Sequence, residues 1–239
     1  MSYRRAKAIK TKNHLEYCTY VVREDEEQDY RNAGVEDLLV IPHDAVSSDG
    51  GGVNEFMSTF YWIIQNTPEE VICIVDDDVN YFAYRTIDIT SIDSKFFENP
   101  KEVVTTEMER IAQLLVDLDL GLACTTQLPT LWAYDKEFGF HGCPGGVRWV
   151  NKKQFKAKFD RRDLANSDVD MVMQELLMNR IVLMPKYIID HSSDMGTNEG
   201  GTTRNTDELN EMYVALRNKW GVHFEYNRKK NSAHINIKR

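Results

Sequence analysis

Short apolar runs alternate with segments of helical spacing through the first half of the chain, and this alternation constrains the fold more than any other feature. The strand-like runs span residues 17–22, 37–41, 71–75 and 122–126. The helical segments between them span residues 24–32, 54–65 and a stretch from Pro100 to Gly121. Strands that alternate with helices favour a parallel arrangement. We therefore predict an α/β fold with a mainly parallel central sheet and helices on both faces.

The size and composition of the chain indicate one domain. Its 239 residues, 42% of them hydrophobic, are enough for one sizeable core, and no Pro-, Gly- or Ser-rich linker divides them. No apolar run approaches the roughly 20 residues that cross a bilayer. Four isolated cysteines are typical of a reducing compartment. We expect a cytoplasmic protein that does not bind a membrane.

Charge is distributed unevenly along the sequence, although the net charge is −9. Residues 4–12, 148–162 and 217–239 carry 19 of the 29 Lys and Arg residues and only two of the 38 Asp and Glu residues. A chain with this pattern can present a positive face to a polyanion while the rest repels it. Solvated termini and one solvated helix face would explain the same pattern.

Three consecutive carboxylates, Asp76, Asp77 and Asp78, follow the apolar run 71–75. Packed negative charges repel each other unless a cation lies among them. Because side chains alternate along an extended backbone, Asp76 and Asp78 can point to one side. Mg²⁺ and Mn²⁺ typically take one or two carboxylates and fill their other positions with phosphate oxygens and water. The triplet predicts such a metal site; three surface aspartates at a turn are the structural alternative.

A second group of polar residues lies later in the chain. Ser167 is typical of a helix N-cap, and Asp168 and Asp170 fall in the first turn of the helix that it predicts. Two apolar runs, 181–184 and 187–189, then lead to His191, which is either a ligand or a buried strand-end histidine. The Gly-rich segment 192–205, which contains Arg204, is either a lid or an ordinary loop.

These motifs resemble those of glycosyltransferases with the GT-A fold. The segment 51–54, a helix and the run 72–78 look like the nucleotide-sugar half, in which a strand ends in a DxD motif. Ser167 to Asp170, followed by a helix, a strand and His191, is similar to the later half. The resemblance implies a nucleotide-sugar half at 1–126 and an acceptor half with a basic tail at 127–239.

The same resemblance implies a metal-dependent, inverting transfer of sugar from a nucleotide-sugar, such as a UDP-sugar, to a hydroxyl group. Mn²⁺ or Mg²⁺ would be held by Asp76, Asp78 and His191, and the donor would be contacted by Asp76, Asp77, Asn54 and Arg204. The catalytic base would be Asp168, with Asp170 as its rival. One base suffices for a single displacement.

The acceptor is indicated by a further similarity. The segment 22–30 looks like that of bacteriophage enzymes that glycosylate modified DNA bases. It implies an acceptor such as 5-hydroxymethylpyrimidine in phage DNA, and action in the host cytoplasm. The basic run can neutralise phosphates, and aromatic residues can stack on a base. The acceptor candidates are Trp132, Tyr134, His141, Arg148, Trp149, Lys152 and Lys153.

Two alternatives stay open at this point. The acceptor of a glycosyltransferase could be a surface polysaccharide or a lipid-linked glycan. The chain could also be a non-catalytic nucleic-acid-binding module in which the acidic triplet holds a structural ion.

Overall fold

The computed structural model describes residues 11–46, 53–86, 90–126, 136–160, 162–192, 206–227 and 232–237. The α-helices are α1 (Glu27–Asn32), α2 (His43–Val46), α3 (Val53–Asn66), α4 (Pro100–Asp117), α5 (Asp168–Met178) and α6 (Thr206–Trp220). The strands are β1 (Tyr20–Arg23), β2 (Leu38–Ile41), β3 (Val71–Val75), β4 (Val79–Arg85), β5 (Ser91–Asp93), β6 (Leu122–Thr126), β7 (Phe138–Gly139), β8 (Pro144–Asn151), β9 (Met184–Pro185), β10 (Ile188–Ser192), β11 (Phe224–Asn227) and β12 (Ser232–Ile235). Short 3₁₀ turns cover Thr11–Asn13, Glu24–Glu26, Ser94–Phe96 and Gly221–His223.

The chain begins its regular structure with the β-α-β unit that the sequence predicts. β1 and β2 pair in parallel, and α1 connects them. Gly34 has a φ of 82°, a left-handed conformation that glycine adopts without steric cost, so the chain can turn sharply after α1. The α/β class is therefore confirmed.

The central sheet departs from the prediction of mainly parallel strands. It contains β3, β8 and β6 in that order, and β8 runs antiparallel to both neighbours. Among the named strands that the structure describes, β1 and β2 form the parallel pair, and the other pairings are antiparallel. The sequence did not reveal β8 because two glycines and a charged residue interrupt its apolar pattern, although every residue of the strand is buried.

A three-residue turn, 76–78, connects β3 directly to β4. β4 lies between β10 and β5 in a second antiparallel sheet. β10 also contacts β8 and β6, so the end of β10 lies beside the central sheet. The turn after β3, the start of β8 and the end of β10 are therefore close in space.

Helices cover both faces of the central sheet, as predicted. On one face, α3, α5 and α6 pack against Ile72, Ile74 and Val150. On the other face, α4 packs against Val147 and Trp149. Neighbouring residues of β8 alternate between these two faces, so the side chain of Arg148 lies on the face that α3 and α5 cover. Within the described ranges, no helix combines the length and apolar character that a membrane span requires.

Candidate functional site

Asp76 lies at the carboxyl end of β3, where its backbone joins it to β8. Its N–H donates to the carbonyl of Gly146 at 2.9 Å, and its Oδ1 accepts a hydrogen bond from Arg148 Nη1 at 3.0 Å. The Asp76 side chain is 28% exposed. One carboxylate of the acidic triplet therefore faces β8 and stays accessible to solvent.

Arg148 is buried in the middle strand of the central sheet, with 4% of its side chain exposed. Besides Asp76, its guanidinium contacts Asp168 Oδ2 at 3.4 Å and lies 5.0 Å from the ring centre of Phe56 in α3. Burial lowers the pKa of Arg148, but the charges of Asp76 and Asp168 outweigh it, so the pKa is raised. A permanent positive charge thus lies between two carboxylates from distant parts of the chain.

The two candidate bases occupy different environments. Asp168 opens α5, accepts from the N–H of Val169 at 2.8 Å, contacts Arg148 and is 25% exposed. Asp170 is buried, and its Oδ1 accepts from Trp220 Nε1 at 2.7 Å. Its Oδ2 accepts from Lys219 Nζ at 3.0 Å and from Gln174 Nε2 at 2.8 Å. The structure therefore places Asp168 at the candidate site and Asp170 in contacts that attach α6 to α5.

The helix that carries both residues begins as predicted. Ser167 has an extended backbone, and its hydroxyl accepts from the N–H of Asp170 at 3.1 Å. This N-cap bond holds the first turn of α5 and, with it, the orientation of Asp168.

Asp190, a residue that the sequence did not single out, also borders this site. Its Oδ2 accepts from the N–H of Gly146 at 2.9 Å. A Cβ atom on Gly146 would lie 2.6 Å from Asp190 Oδ2 and 3.3 Å from Asp76 Oδ2, so both carboxylates border the same small space. Asp190 Oδ1 is enclosed by protein and finds no hydrogen-bond donor among the residues that the structure describes.

His191, the residue predicted as a metal ligand, has a different neighbour. Its ring stacks on that of Tyr81, with 4.4 Å between ring centres. Side chains alternate along β10, so Asp190 and His191 point to opposite sides of the strand. Applying this alternation to the end of β10 could have identified Asp190 as a second candidate metal ligand beside Asp76.

The arrangement of carboxylates fits a hard divalent cation that is shared with a ligand. In the part of the chain that the structure describes, no three His, Cys, Asp or Glu side chains form a complete metal cage. Mg²⁺ and Mn²⁺ do not require one, because one or two carboxylates suffice when phosphate oxygens and water complete the shell. Asp76 and Asp190, with the enclosed oxygen of Asp190, provide such a pair.

The structure describes fewer contacts for the other residues that were predicted to hold the donor or the metal. Asp77 and Asp78 form the turn after β3, and both are half-buried. Burial and, to a smaller extent, the charge of Asp77 raise the pKa of Tyr20 in β1, so Asp77 lies within electrostatic reach of β1. Asn54 lies in the first turn of α3, but its side chain lies outside what the structure describes, as does Arg204.

Most of the predicted acceptor-binding residues that the structure describes make contacts within the protein. Trp149 is completely buried and donates from Nε1 to the carbonyl of Met108 at 3.0 Å. Lys152 Nζ donates to the carbonyl of Thr67 at 2.6 Å, and Lys153 pairs with Glu70 at 2.6 Å. His141 is exposed, whereas Trp132 and Tyr134 lie outside the described residues. Arg148 lies at the candidate site itself and not on an exposed acceptor surface.

Comparison with protein-family models, with curated proteins and with solved structures finds no match to this chain.

Proposed function

We propose that this chain is a metal-dependent, inverting glycosyltransferase that uses a nucleotide-sugar donor, with a UDP-sugar as the preferred donor class. One observation carries the proposal: Asp76 and Asp168, which belong to separate motifs, contact the same buried arginine and are both partly exposed. Such a transfer requires a metal-binding carboxylate and a proton acceptor, and these two residues are the ones that would supply them.

The proposal includes the fold family. We infer a GT-A type domain, with residues 1–126 as the nucleotide-sugar half and 127–239 as the acceptor half. Its support is the β-α-β unit at the start, helices on both faces of the central sheet and an acidic turn at the carboxyl end of β3. Ligands of open α/β sheets bind beyond the carboxyl ends of strands.

Asp76 and Asp190 are the residues best placed to hold Mn²⁺ or Mg²⁺, with Asp78 and His191 as the candidates that the sequence motifs imply. A bound divalent cation would neutralise the diphosphate leaving group as its bond to the sugar breaks.

Asp168 would accept the proton of the acceptor hydroxyl. The Val169 N–H fixes one of its oxygens, and Arg148 contacts the other. Both contacts fix the orientation of the carboxylate. The partial exposure of Asp168 leaves room for an acceptor to approach.

The preferred acceptor is a hydroxymethylated pyrimidine in DNA. A groove of about 600 Å³ beside the start of α5 is lined by Lys158, by Arg162, which pairs with Asp160, and by Lys219, which pairs with Asp163. Cations along such a groove can contact phosphates. A polysaccharide or lipid-linked glycan is the alternative acceptor, and it predicts no salt-dependent binding to DNA.

The test is incubation of the protein with Mn²⁺, a panel of nucleotide-sugars and DNA that contains 5-hydroxymethylpyrimidines, followed by mass spectrometry of the digested nucleosides. A hexose or pentose mass on the modified base is expected. Asp76→Asn and Asp168→Asn should abolish it, whereas Asp117→Asn, a matched change at an exposed carboxylate on α4, should retain it.

Two other outcomes assign a different function. Transfer to a glycan and not to DNA would overturn the acceptor and retain the reaction. DNA binding without any transfer or donor hydrolysis would support the non-catalytic module.

A further inference from the structure

A second groove lies between α6 and the hairpin that β11 and β12 form, and it shares no lining residue with the candidate site. Its volume is about 930 Å³. Helix α6 lines it with Tyr213, Val214 and Arg217, and the hairpin lines it with Tyr226 and His234, among others. We call it the C-terminal groove.

Two tyrosine rings form a stacked pair in the C-terminal groove. Side chains alternate along β11, so Phe224 and Tyr226 both point toward α6, where they pack in the same core cluster as Tyr213. The ring centres of Tyr213 and Tyr226 are 3.5 Å apart, and the ring planes differ by 16°. Both tyrosines are half-buried, so their rings are held in place and still line the groove.

The part of the chain that forms this groove is basic, although the whole chain is acidic. Residues 217–239 carry seven Lys and Arg residues and one acidic residue, Glu225. Arg217 is exposed on the wall of the groove, where its Nη1 donates to the carbonyl of Phe224. The sequence that connects β11 to β12 begins with the three cations at 228–230.

This combination of groups fits a single-stranded polynucleotide. Proteins bind single strands by stacking bases on aromatic rings and by placing Lys and Arg near the phosphates. Three asparagines in the lining add amide groups that can hydrogen-bond to bases and sugars. The rings would also suit an uncharged glycan, but the excess of cations favours a polyanion.

We propose that the C-terminal groove is a binding site for a single strand of DNA or RNA, in which a base stacks against the Tyr213 and Tyr226 pair and Arg217 contacts a phosphate. This inference goes beyond the proposed function, because strand binding at this groove does not require sugar transfer. The basic segment 217–239, which the candidate site leaves unexplained, thereby acquires a role.

The experiment is fluorescence anisotropy of the full-length protein with a labelled thymidine oligomer of about 12 nucleotides, at low salt and at increasing salt. We expect binding that weakens as salt rises. Tyr226→Ala should bind at least about tenfold more weakly, whereas Tyr226→Phe, which keeps the ring, should bind like the unchanged protein. Tyr17→Ala, at an exposed tyrosine before β1, is the matched control and should also retain binding.

Two further ligands show what the groove recognises. A duplex hides its bases, so Tyr226→Ala should weaken duplex binding much less than single-strand binding. A uridine oligomer of the same length distinguishes RNA from DNA, and Tyr226-dependent binding of either strand supports the proposal. Binding of an uncharged polysaccharide without binding of either oligomer would overturn it in favour of a glycan site.

A second pair of variants tests the groove without removing a packed ring. Val214 lines the groove and is 54% exposed, so Val214→Glu adds a negative charge there with little loss of packing. We expect single-strand binding to weaken about fivefold or more. Val116→Glu adds the same charge at an exposed valine of α4 and should bind like the unchanged protein. This pair decides the question alone if Tyr226→Ala does not fold.

Equal weakening by Val214→Glu and Val116→Glu would overturn the proposal, as would full single-strand affinity in folded Tyr226→Ala. These outcomes are distinct from those of the proposed function. Strand binding at this groove without sugar transfer would leave the inference intact and remove the glycosyltransferase. Sugar transfer without an effect of Tyr226→Ala or Val214→Glu on strand binding would do the reverse.

Discussion

Arg148 and Asp76 form an ion pair across the central sheet, although they lie 72 residues apart in the chain. The pair joins the turn after β3 to the middle of β8, and the contact of Arg148 with Asp168 extends it to α5. An arginine that was predicted to bind acceptor phosphates thus connects the two acidic motifs. The proposed function depends on this connection.

The two aspartates of α5 should behave differently when each is changed to asparagine. In Asp170→Asn the amide N–H₂ would face another hydrogen-bond donor in either orientation. It would face Lys219 and Gln174 in one orientation and Trp220 in the other. We expect the free energy of unfolding to fall by about 3 kcal/mol. Asp168→Asn should cost less, because Arg148 keeps its ion pair with Asp76, and it should abolish transfer. Urea denaturation and activity assays measure both, and equal stability losses would contradict the assignment.

Gly146→Ala should disturb the candidate site directly. The added Cβ would approach Asp190 Oδ2 to 2.6 Å, and moving that oxygen breaks its bond with the Gly146 N–H. We expect a stability loss of about 1–3 kcal/mol and weaker Mn²⁺ binding. Gly139→Ala is the control, because its Cβ would meet Lys186 Cε at 3.4 Å, an ordinary contact. Similar metal affinities in both variants would contradict this geometry.

Trp149→Phe should affect stability and not the acceptor. The change removes the hydrogen bond from Nε1 to the Met108 carbonyl in the core, at an expected cost of about 1–2 kcal/mol. Fluorescence-detected urea denaturation and salt-dependent DNA binding measure the two effects. Loss of DNA binding at unchanged stability would indicate that Trp149 contacts the acceptor.

Glu175 should make stability depend on pH. Burial raises its pKa, although the N–H groups of Lys156 and Ala157 and the side chain of Asn179 oppose the shift. Because the folded pKa is raised, the stability that Glu175 contributes is full below its unfolded pKa and is lost as pH rises through its folded pKa. Relative to Glu175→Gln, the unchanged protein should lose stability as pH rises above 4.5, the ordinary pKa of a glutamate.

Urea denaturation of both proteins at a series of pH values from 4.5 upward tests this expectation. A stability difference that stays constant, or that changes in favour of the unchanged protein as pH rises, would contradict the raised pKa.

Local signals in the sequence predicted much of the fold. The apolar run 71–75, the helix opened by Pro100 and the N-cap at Ser167 all lie where their patterns place them. These signals depend on neighbouring residues only. The prediction of a mainly parallel sheet was wrong because β8 pairs antiparallel with β3 and β6, and no local pattern encodes these contacts.

The same distinction applies to the candidate site. Asp76 and Asp168 were identified from short motifs, and the structure brings them to one arginine. Asp190 was missed because its contact with Gly146 joins two separate sheets. Trp149 and Lys152 were assigned to an acceptor surface because residue type does not distinguish a core indole or a bonded ammonium from exposed ones.

Release of nucleoside diphosphate from a nucleotide-sugar tests the central claim most directly. The unchanged protein and Asp117→Asn should release it in Mn²⁺ and stop when EDTA is added, whereas Asp76→Asn should be at least about 100-fold slower. Release by Asp76→Asn at the rate of the unchanged protein, or release that EDTA does not affect, would contradict a metal-dependent glycosyltransferase at this site.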